Sequence, residues 1–390
     1  MITKIKNGRL ILKNGIDDRK NLYIEDNRII DATECEIPFD CEIDAKGGYV
    51  SPGFIDIHVH GGDGYEFVDG TFDALKNAAN IHAVHGTTTI YPTISAFDYH
   101  KTVTALESVS KYKDRDEILP NIYGVHLEGP YFSPKQSGAQ DPSFIRTPDE
   151  REYNKLYDNY GDIIKRWSYA PELAGSDKFL SFLNEKNIVA AAGHTDAEFE
   201  HIKAAYENGM KLITHLYSST STITRKSGFR ILGVIETAFL YDDIDVETIA
   251  DGCHLPPELL SMIYKIKGED HMCLITDAIR HGGMKNIENE ICQNGNMPYI
   301  IEDGVAKLVD RSAFAGSIAT ADVLVRTCTA RAGISLESAV KMITEVPARI
   351  MGLETKGKLC AGYDADIVIF DDDINIKRVL VGGKEIATAD

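Results

Sequence analysis

The run Pro52-Gly-Phe-Ile-Asp-Ile-His-Val-His-Gly-Gly62 decides the fold. Residues two apart on a strand point the same way, so Ile55, Ile57 and Val59 share one face while Asp56, His58 and His60 share the other. Two imidazoles placed in this way can bind one ion. The alternative for an isolated His-x-His is a polar strand end with two solvated histidines. The flanking Pro52-Gly53 and Gly61-Gly62 favour ligand binding, because glycine lets a backbone approach a ligand closely.

The pattern repeats along the chain. His126-Leu-Glu128-Gly-Pro130, Gly193-His194, Thr214-His215 and Thr276-Asp277 each close an apolar, strand-like run. A series of strand ends bearing His, Glu or Asp is how a (β/α)₈ barrel presents metal ligands at its catalytic face. Such ligands, without cysteine, suit a hard or borderline divalent ion that activates water. Strands are expected over 53–60, 87–92, 121–128, 165–171, 187–194, 211–215, 245–251 and 272–277, with helices between most of them. Thr195-Asp-Ala-Glu198 reads as a capping box, opening a helix with Phe199, Ile202 and Ala205 on one side and ending at Asn208-Gly209. This alternation fits an α/β protein with a TIM-like (β/α)₈ barrel better than an open doubly wound sheet. No glycine-rich phosphate or dinucleotide loop follows the first strand.

Outside the barrel the pattern changes. Arg9-Leu-Ile-Leu12 and Asn21-Leu-Tyr-Ile-Glu25 near the start, and Ala365-Asp-Ile-Val-Ile-Phe370 with Arg378-Val-Leu-Val381 near the end, are short strands broken by turn residues. Residues 1–50 and 356–390 are therefore expected to pair in one small β-sandwich domain, with 51–355 as the barrel. The polar stretch 133–158, with Pro134, Pro142 and Pro148, reads as a loop over the site.

The formal charge of −19 over 390 residues argues against a nucleic-acid surface or an anionic membrane partner. It leaves room for an anionic small substrate held by local basic residues. No membrane span or signal peptide is evident. Seven cysteines without framework spacing, several in apolar runs, read as reduced core thiols of a cytoplasmic protein.

Each candidate has a plain alternative. A bare carboxylate such as Glu128 at the end of an apolar run is costly unless paired or metal-bound, and a salt-bridged structural glutamate is the other option. His194 and His215, taken singly, are hydrogen-bonded core histidines; only the joint pattern makes them ligands. Asp277 can take a proton from water and deliver it to a leaving group, or it can be a turn aspartate. His254 is a substrate contact or a solvated loop histidine. Arg225, Lys226 and Arg230 can grip a phosphate or form a solvated basic loop. No Gly-x-Ser-x-Gly elbow supports a nucleophilic hydrolase.

Set side by side, these segments resemble the N-acetylglucosamine-6-phosphate deacetylase family of the amidohydrolase superfamily, nearly end to end. The likeness is carried by 52–62, His126-Leu-Glu-Gly-Pro-Tyr-Phe-Ser-Pro134, Gly193-His-Thr195, Thr214-His-Leu-Tyr217, Ala250-Asp-Gly-Cys-His254, Ile275-Thr-Asp-Ala278 and Ala315-Gly-Ser317. The tail Gly362-Tyr-Asp-Ala-Asp-Ile-Val-Ile-Phe-Asp371 resembles the closing strands of the superfamily. His-Leu-Glu-Gly-Pro is the piece most specific to the deacetylases.

The resemblance implies roles. Glu128, His194 and His215 would hold the principal divalent ion, and His58 and His60 a second where two are bound. Zinc is the expected metal, with iron, manganese or cobalt also compatible with these ligands. Asp277 would be general base and then acid. His254 and Arg225 would face the sugar phosphate, the arginine reaching in from the neighbouring subunit of a homodimer. Two departures stand out. The family usually follows Thr-His-Leu-Tyr with Asn-Ala-Met, whereas this chain has Ser218-Ser-Thr-Ser-Thr222, so Ser218 and Ser219 would stand among the phosphate donors. The family also tends to have Gly-Ala-His, its histidine on the substrate, where this chain has Gly138-Ala-Gln140. Gln140 can donate a hydrogen bond but carries no charge. The implied reaction is deacetylation of N-acetylglucosamine 6-phosphate by metal-activated hydroxide, with Asp277 as proton shuttle. The alternatives are an N-acetylgalactosamine-6-phosphate deacetylase, another cyclic-amide amidohydrolase, or a non-catalytic ligand-binding homologue.

Overall fold

Every residue of the strand Phe54–Val59 (β1) is buried. A strand covered on both faces is what a parallel barrel with an outer layer of helices requires. In the computed structural model, which describes residues 1–289, 291–294 and 297–386, β1 is the first stave. Thr87–Ile94 (β2), Val125–Glu128 (β3), Ile164–Tyr169 (β4), Val189–Ala192 (β5), Leu212–Ile213 (β6), Asp245–Ile249 (β7) and Met272–Ile275 (β8) follow, each parallel to the one before. The ring closes just past β8, where Asp277 N donates to His58 O at 2.9 Å and His60 N donates to Ala278 O at 2.8 Å. The expected TIM-like α/β barrel is the one observed.

Helices follow the strands, and their starts are local chemistry. Thr71 caps Phe72–Val84 by accepting from Ala74 N, Asp98 caps Tyr99–Tyr112 from Lys101 N, and Asp149 caps Glu150–Tyr160 from Arg151 N. The two faces of β1 separate as its alternation predicts. Ile55 and Ile57 pack with Tyr91, Cys273 and Ile275 against Val346 and Ala348. On the other face Asp56 Oδ2 accepts from Thr276 Oγ1 at 2.5 Å.

Both chain ends build the remaining large sheets. Ile367–Phe370 runs antiparallel to Tyr49–Pro52, which lies parallel to Arg9–Leu12, in a six-stranded sheet. Ile2–Lys6, Asn21–Glu25, Arg28–Thr33 and Cys41–Asp44 form a four-stranded sheet. Ile5, Leu22 and Ile24 from one sheet and Leu10, Val50 and Ile367 from the other share a core, as in a sandwich.

Several local expectations are corrected. The third strand is broken: Asn121–Ile122 pairs with β2, and the chain re-enters as β3 after Gly124, where a Cβ would meet the Lys165 side chain at 2.2 Å. The helix after β5 is Phe199–Glu207, so the Thr195 box does not open it. Thr195 Oγ1 instead donates to Glu172 Oε2 at 2.5 Å, and Glu198 N donates to His201 Nδ1 at 3.1 Å in the actual cap. Within 133–158 only the first part is loop, because Asp149 starts a helix. The glycines beside β1 serve chain packing: a Cβ on Gly53 would lie 2.0 Å from Thr88 Oγ1, and one on Gly61 2.1 Å from Tyr65 O. Cys273 and Cys328 are buried, but Cys35, Cys41 and Cys360 are exposed, so they are not core thiols. An antiparallel meander, Ile291–Asn294, Met297–Glu302 and Val305–Leu308, follows β8 without a counterpart in the sequence reading. Among the described residues no helix is long and apolar enough to cross a membrane.

Candidate active site and metal centre

Six side chains meet at the carboxyl ends of the barrel strands. Glu128, at the end of β3, is the hub. Its Oε1 lies 3.0 Å from His215 Nε2, 3.1 Å from His194 Nε2 and 3.4 Å from His58 Nε2, and its Oε2 lies 3.4 Å from His60 Nε2. Asp277 Oδ1 is 3.0 Å from His60 Nε2 and 3.3 Å from His58 Nε2. All six residues are buried. The donor atoms of His58, His60 and Asp277 lie within 4.8 Å of one another, as do those of His58, Glu128 and His215.

The backbone is bent to achieve this. His194, His215 and Asp277 take φ values of +45°, +27° and +48°, and Tyr217 and Ser219 are also in the left-handed region. Each such non-glycine residue costs on the order of 1–3 kcal/mol and persists only where its surroundings over-determine it. Here the strand ends turn sharply so that their side chains aim across the barrel mouth.

The four histidines share one arrangement. Nδ1 faces Glu247 Oε2 at 3.2 Å in His58, Ser95 Oγ at 3.0 Å in His60, Gln136 O at 2.9 Å in His194 and Ser218 O at 3.1 Å in His215. With Nδ1 donating outward, each Nε2 is turned to the centre, where the neutral imidazole would offer a metal its lone pair. His58 Nε2 is buried and has no hydrogen-bond partner, although carboxylate oxygens stand just beyond bonding geometry. That orphaned nitrogen fits a cation-binding centre.

Beneath the cluster lies a layer that sequence reasoning missed. Glu247 forms a fully buried ion pair with Arg166 and accepts from His215 N at 3.2 Å. Arg166 Nη1 also donates to Ile57 O at 3.0 Å, and its Nη2 to Thr214 Oγ1 at 3.2 Å. The available signal was a pair of like charges inside each of two strand-like runs, Asp245-Val-Glu-Thr-Ile249 and Lys165-Arg-Trp167. His126 belongs to this deeper layer, between Thr93 Oγ1 at 3.1 Å and Ser168 Oγ at 2.7 Å.

The electrostatics favour positive charge at the centre. Burial opposes a charged His58, yet Asp277 and Glu128 push its imidazole up to about 10. Burial likewise opposes an ionised Asp277, but His58 and His60 hold it down at about 2. Despite burial, Glu247 is held at about 2, chiefly by Arg166. Burial holds His215 below its usual value, but the His58 side of the centre draws a proton onto a buried imidazole and is equally suited to a cation.

Over the cluster lies a cavity of about 290 Å³, bordered by Gln140, Ser218, Ser219, His254 and Phe314. That is close to the lower end, about 300 Å³, of small-molecule sites. His254 Nδ1 is 2.7 Å from Asp251 Oδ2, and its ring lies 4.6 Å from that of Phe314. Phe314, which follows the unforeseen meander, was not anticipated; its nearness to Ala315-Gly-Ser317 was the only hint. Gln140 Nε2 donates to Glu128 Oε2 at 2.7 Å. Arg225 stands apart on the exposed hairpin of Thr224–Lys226 and Phe229–Ile231, outside the cavity.

Residues 49–386 match the Amidohydrolase family. A Lysinibacillus sphaericus N-acetylglucosamine-6-phosphate deacetylase is 30% identical over 385 residues, covering 97% of this chain and 96% of the relative. The chain belongs to the N-acetylglucosamine-6-phosphate deacetylase family of amidohydrolases. The Mycobacterium smegmatis deacetylase, solved as a variant in complex with N-acetyl-D-glucosamine-6-phosphate, matches this amidohydrolase with a TM-score of 0.88 at 28% identity, covering 100% of this chain and 99% of that one. The Pasteurella multocida deacetylase gives a TM-score of 0.90 at 24% identity with full coverage of both chains, which bears on the fold. Membership makes the chain a hydrolase of amide bonds in a metal-dependent family, and the His/Asp/Glu cluster provides a matching donor set.

Proposed function

We propose that this amidohydrolase removes the acetyl group of N-acetylglucosamine 6-phosphate, giving glucosamine 6-phosphate and acetate. The observation that carries the reading is the convergence of Asp277 with Glu128 and four histidines below one cavity. The sugar comes from the relatives, which are named as deacetylases of this substrate over nearly their whole length.

Glu128, His194 and His215 would hold the principal ion, and His58 and His60 a second where two are bound. Nitrogen and oxygen donors without thiolate suit zinc, with iron, manganese or cobalt also compatible. A divalent ion bound there supplies Lewis acidity toward the amide carbonyl and an acidified water. Asp277, ionised at neutral pH, takes the water proton on a carboxylate oxygen and passes it to the leaving nitrogen, so that a neutral amine departs. Gln140, Ser218, Ser219 and His254 border the cavity and orient the sugar. Arg225, outside its own cavity, grips the phosphate in the partner subunit's site of a homodimer. Exposed free thiols at Cys35, Cys41 and Cys360 support a reducing, cytoplasmic setting.

Acetate release from N-acetylglucosamine 6-phosphate and its galactosamine epimer, assayed side by side, tests the reading. Preferred turnover of the first, abolished by chelation and restored by zinc, is the expected result. Preference for the epimer would reassign the sugar, and no acetate from either with metal-replete protein would sink the proposal.

A further inference from the structure

The Gln140 side-chain amide is held at both ends. Nε2 donates to Glu128 Oε2 at 2.7 Å, and Oε1 accepts from Ala96 N at 3.1 Å. Chemistry fixes this orientation. Turning the amide over would set Oε1 against a carboxylate and Nε2 against a backbone N–H, pairing acceptor with acceptor and donor with donor. The side chain thus links the loop after β3 to the segment just past β2, with Glu128 between them.

The rotation of Glu128 is what this contact controls. Oε1 lies 3.0 Å, 3.1 Å and 3.4 Å from the Nε2 atoms of His215, His194 and His58. Oε2, on the His60 side, is the oxygen that Gln140 occupies. A hydrogen bond there engages one lone pair and resists turning of the carboxylate about its last bond. Oε1 is then presented to the point shared by His194 and His215.

We infer that Gln140 is a positioning residue of the metal centre: it sets the rotation of the Glu128 carboxylate, and with it the affinity of the site formed by Glu128, His194 and His215. The inference rests on the reading of these three residues as metal ligands. It differs from a role as substrate contact alone, which would change KM and leave metal binding untouched. Because an amide has no proton to lose near neutrality, the constraint is the same across the working pH range.

Outer partners of metal ligands are typically worth about 10–100-fold in metal affinity. The test is a zinc titration of the purified metal-free protein against a competing chromophoric chelator, with acetate release measured on the same preparations. Gln140→Met keeps length and bulk and removes the donor, while Gln140→His restores an N–H in that place. Zinc affinity is expected to fall about 10–100-fold in Gln140→Met and to recover most of that loss in Gln140→His. Wild-type zinc affinity in Gln140→Met, with only KM raised, would overturn the inference. An equal loss in both variants would also overturn it, since bulk rather than the donor would then matter. The titration needs no substrate, so its failure is distinct from failure of the deacetylase reading, which would show as no acetate from zinc-loaded wild type.

Discussion

Two of the molecule's interiors are of opposite character. The sandwich closes over Ile5, Leu10, Leu22, Ile24, Val50 and Ile367, side chains that need only volume. The barrel closes over Asp56, His58, His126, Arg166 and Glu247, each at most 1% exposed. Full burial of a large aliphatic side chain is worth about 1.5–3 kcal/mol. A buried ion pair such as Arg166–Glu247 roughly breaks even against an apolar replacement, although breaking it by removing one partner is costly. The sandwich interior therefore stabilises, while the barrel interior orients: Glu247 holds His58 by its Nδ1 and His215 by its backbone N–H. Positive φ falls on Asn7, Asp26, Lys46 and Ile374 around the terminal sheets, and at the barrel mouth on His194, His215 and Asp277, whose side chains form the centre.

Substitutions can break this contrast. In the zinc-loaded enzyme Asp277→Asn should act chiefly on chemistry, lowering kcat for acetate release by roughly 10²–10⁴-fold. The melting temperature of the zinc-loaded enzyme should stay near wild type, and a collapse in folding would move Asp277 to the scaffold. Glu247→Gln should act on both counts. It strips buried Arg166 of its charge partner, at a cost of about 3–5 kcal/mol, and loosens the hold on His58. Denaturant unfolding reads the first effect and zinc retention the second; an unmoved unfolding midpoint would show that the polar interior is dispensable. Ile369→Ala, in the sandwich core, should cost about 2–5 kcal/mol of stability and leave kcat of the folded enzyme unchanged. A matching fall in kcat would mean that the two interiors are coupled.

The same contrast explains what could be read from sequence. Alternation in Ile55-Asp-Ile-His-Val-His60 exposes both strand and site, because period-two patterning is local. Histidines and carboxylates at successive strand ends then need only the barrel's geometry to bring them together. Arg166 and Glu247 resist this kind of reading: they are 81 residues apart, and a charge within a strand does not reveal its partner. Thr195 carries a sound local capping signal that loses to a tertiary one, the Glu172 carboxylate. The first strand of the meander, Ile291-Cys-Gln-Asn294, lacks alternation, since its order comes from pairing with Met297–Glu302.

The last test is the pH dependence of folding, and it isolates the charge of the polar interior. In the metal-free protein burial opposes a charged His58, but Asp277 and Glu128 raise it from 6.5 to about 10. A raised histidine contributes stability that is complete below its unfolded value and is lost as pH rises through its folded one. Asp277 has the opposite sense: burial opposes its charge, yet His58 and His60 lower it from 3.8 to about 2. Its contribution is present above the unfolded value and is lost as pH falls through the folded one. The two contributions coincide between pH 3.8 and 6.5, so the metal-free protein should melt highest there and progressively lower toward pH 10. Where zinc occupies the His58–His60 position it would take the place of the His58 proton, so protein loaded at both positions should lack this alkaline decline, and the gap between the two melting curves should widen with pH. Ile369→Ala is the control from the other interior, lowering both curves without bending either. A metal-free curve that stays level from pH 6.5 to 10 would mean that Asp277 and Glu128 do not charge His58, and the electrostatic account of the centre would fall.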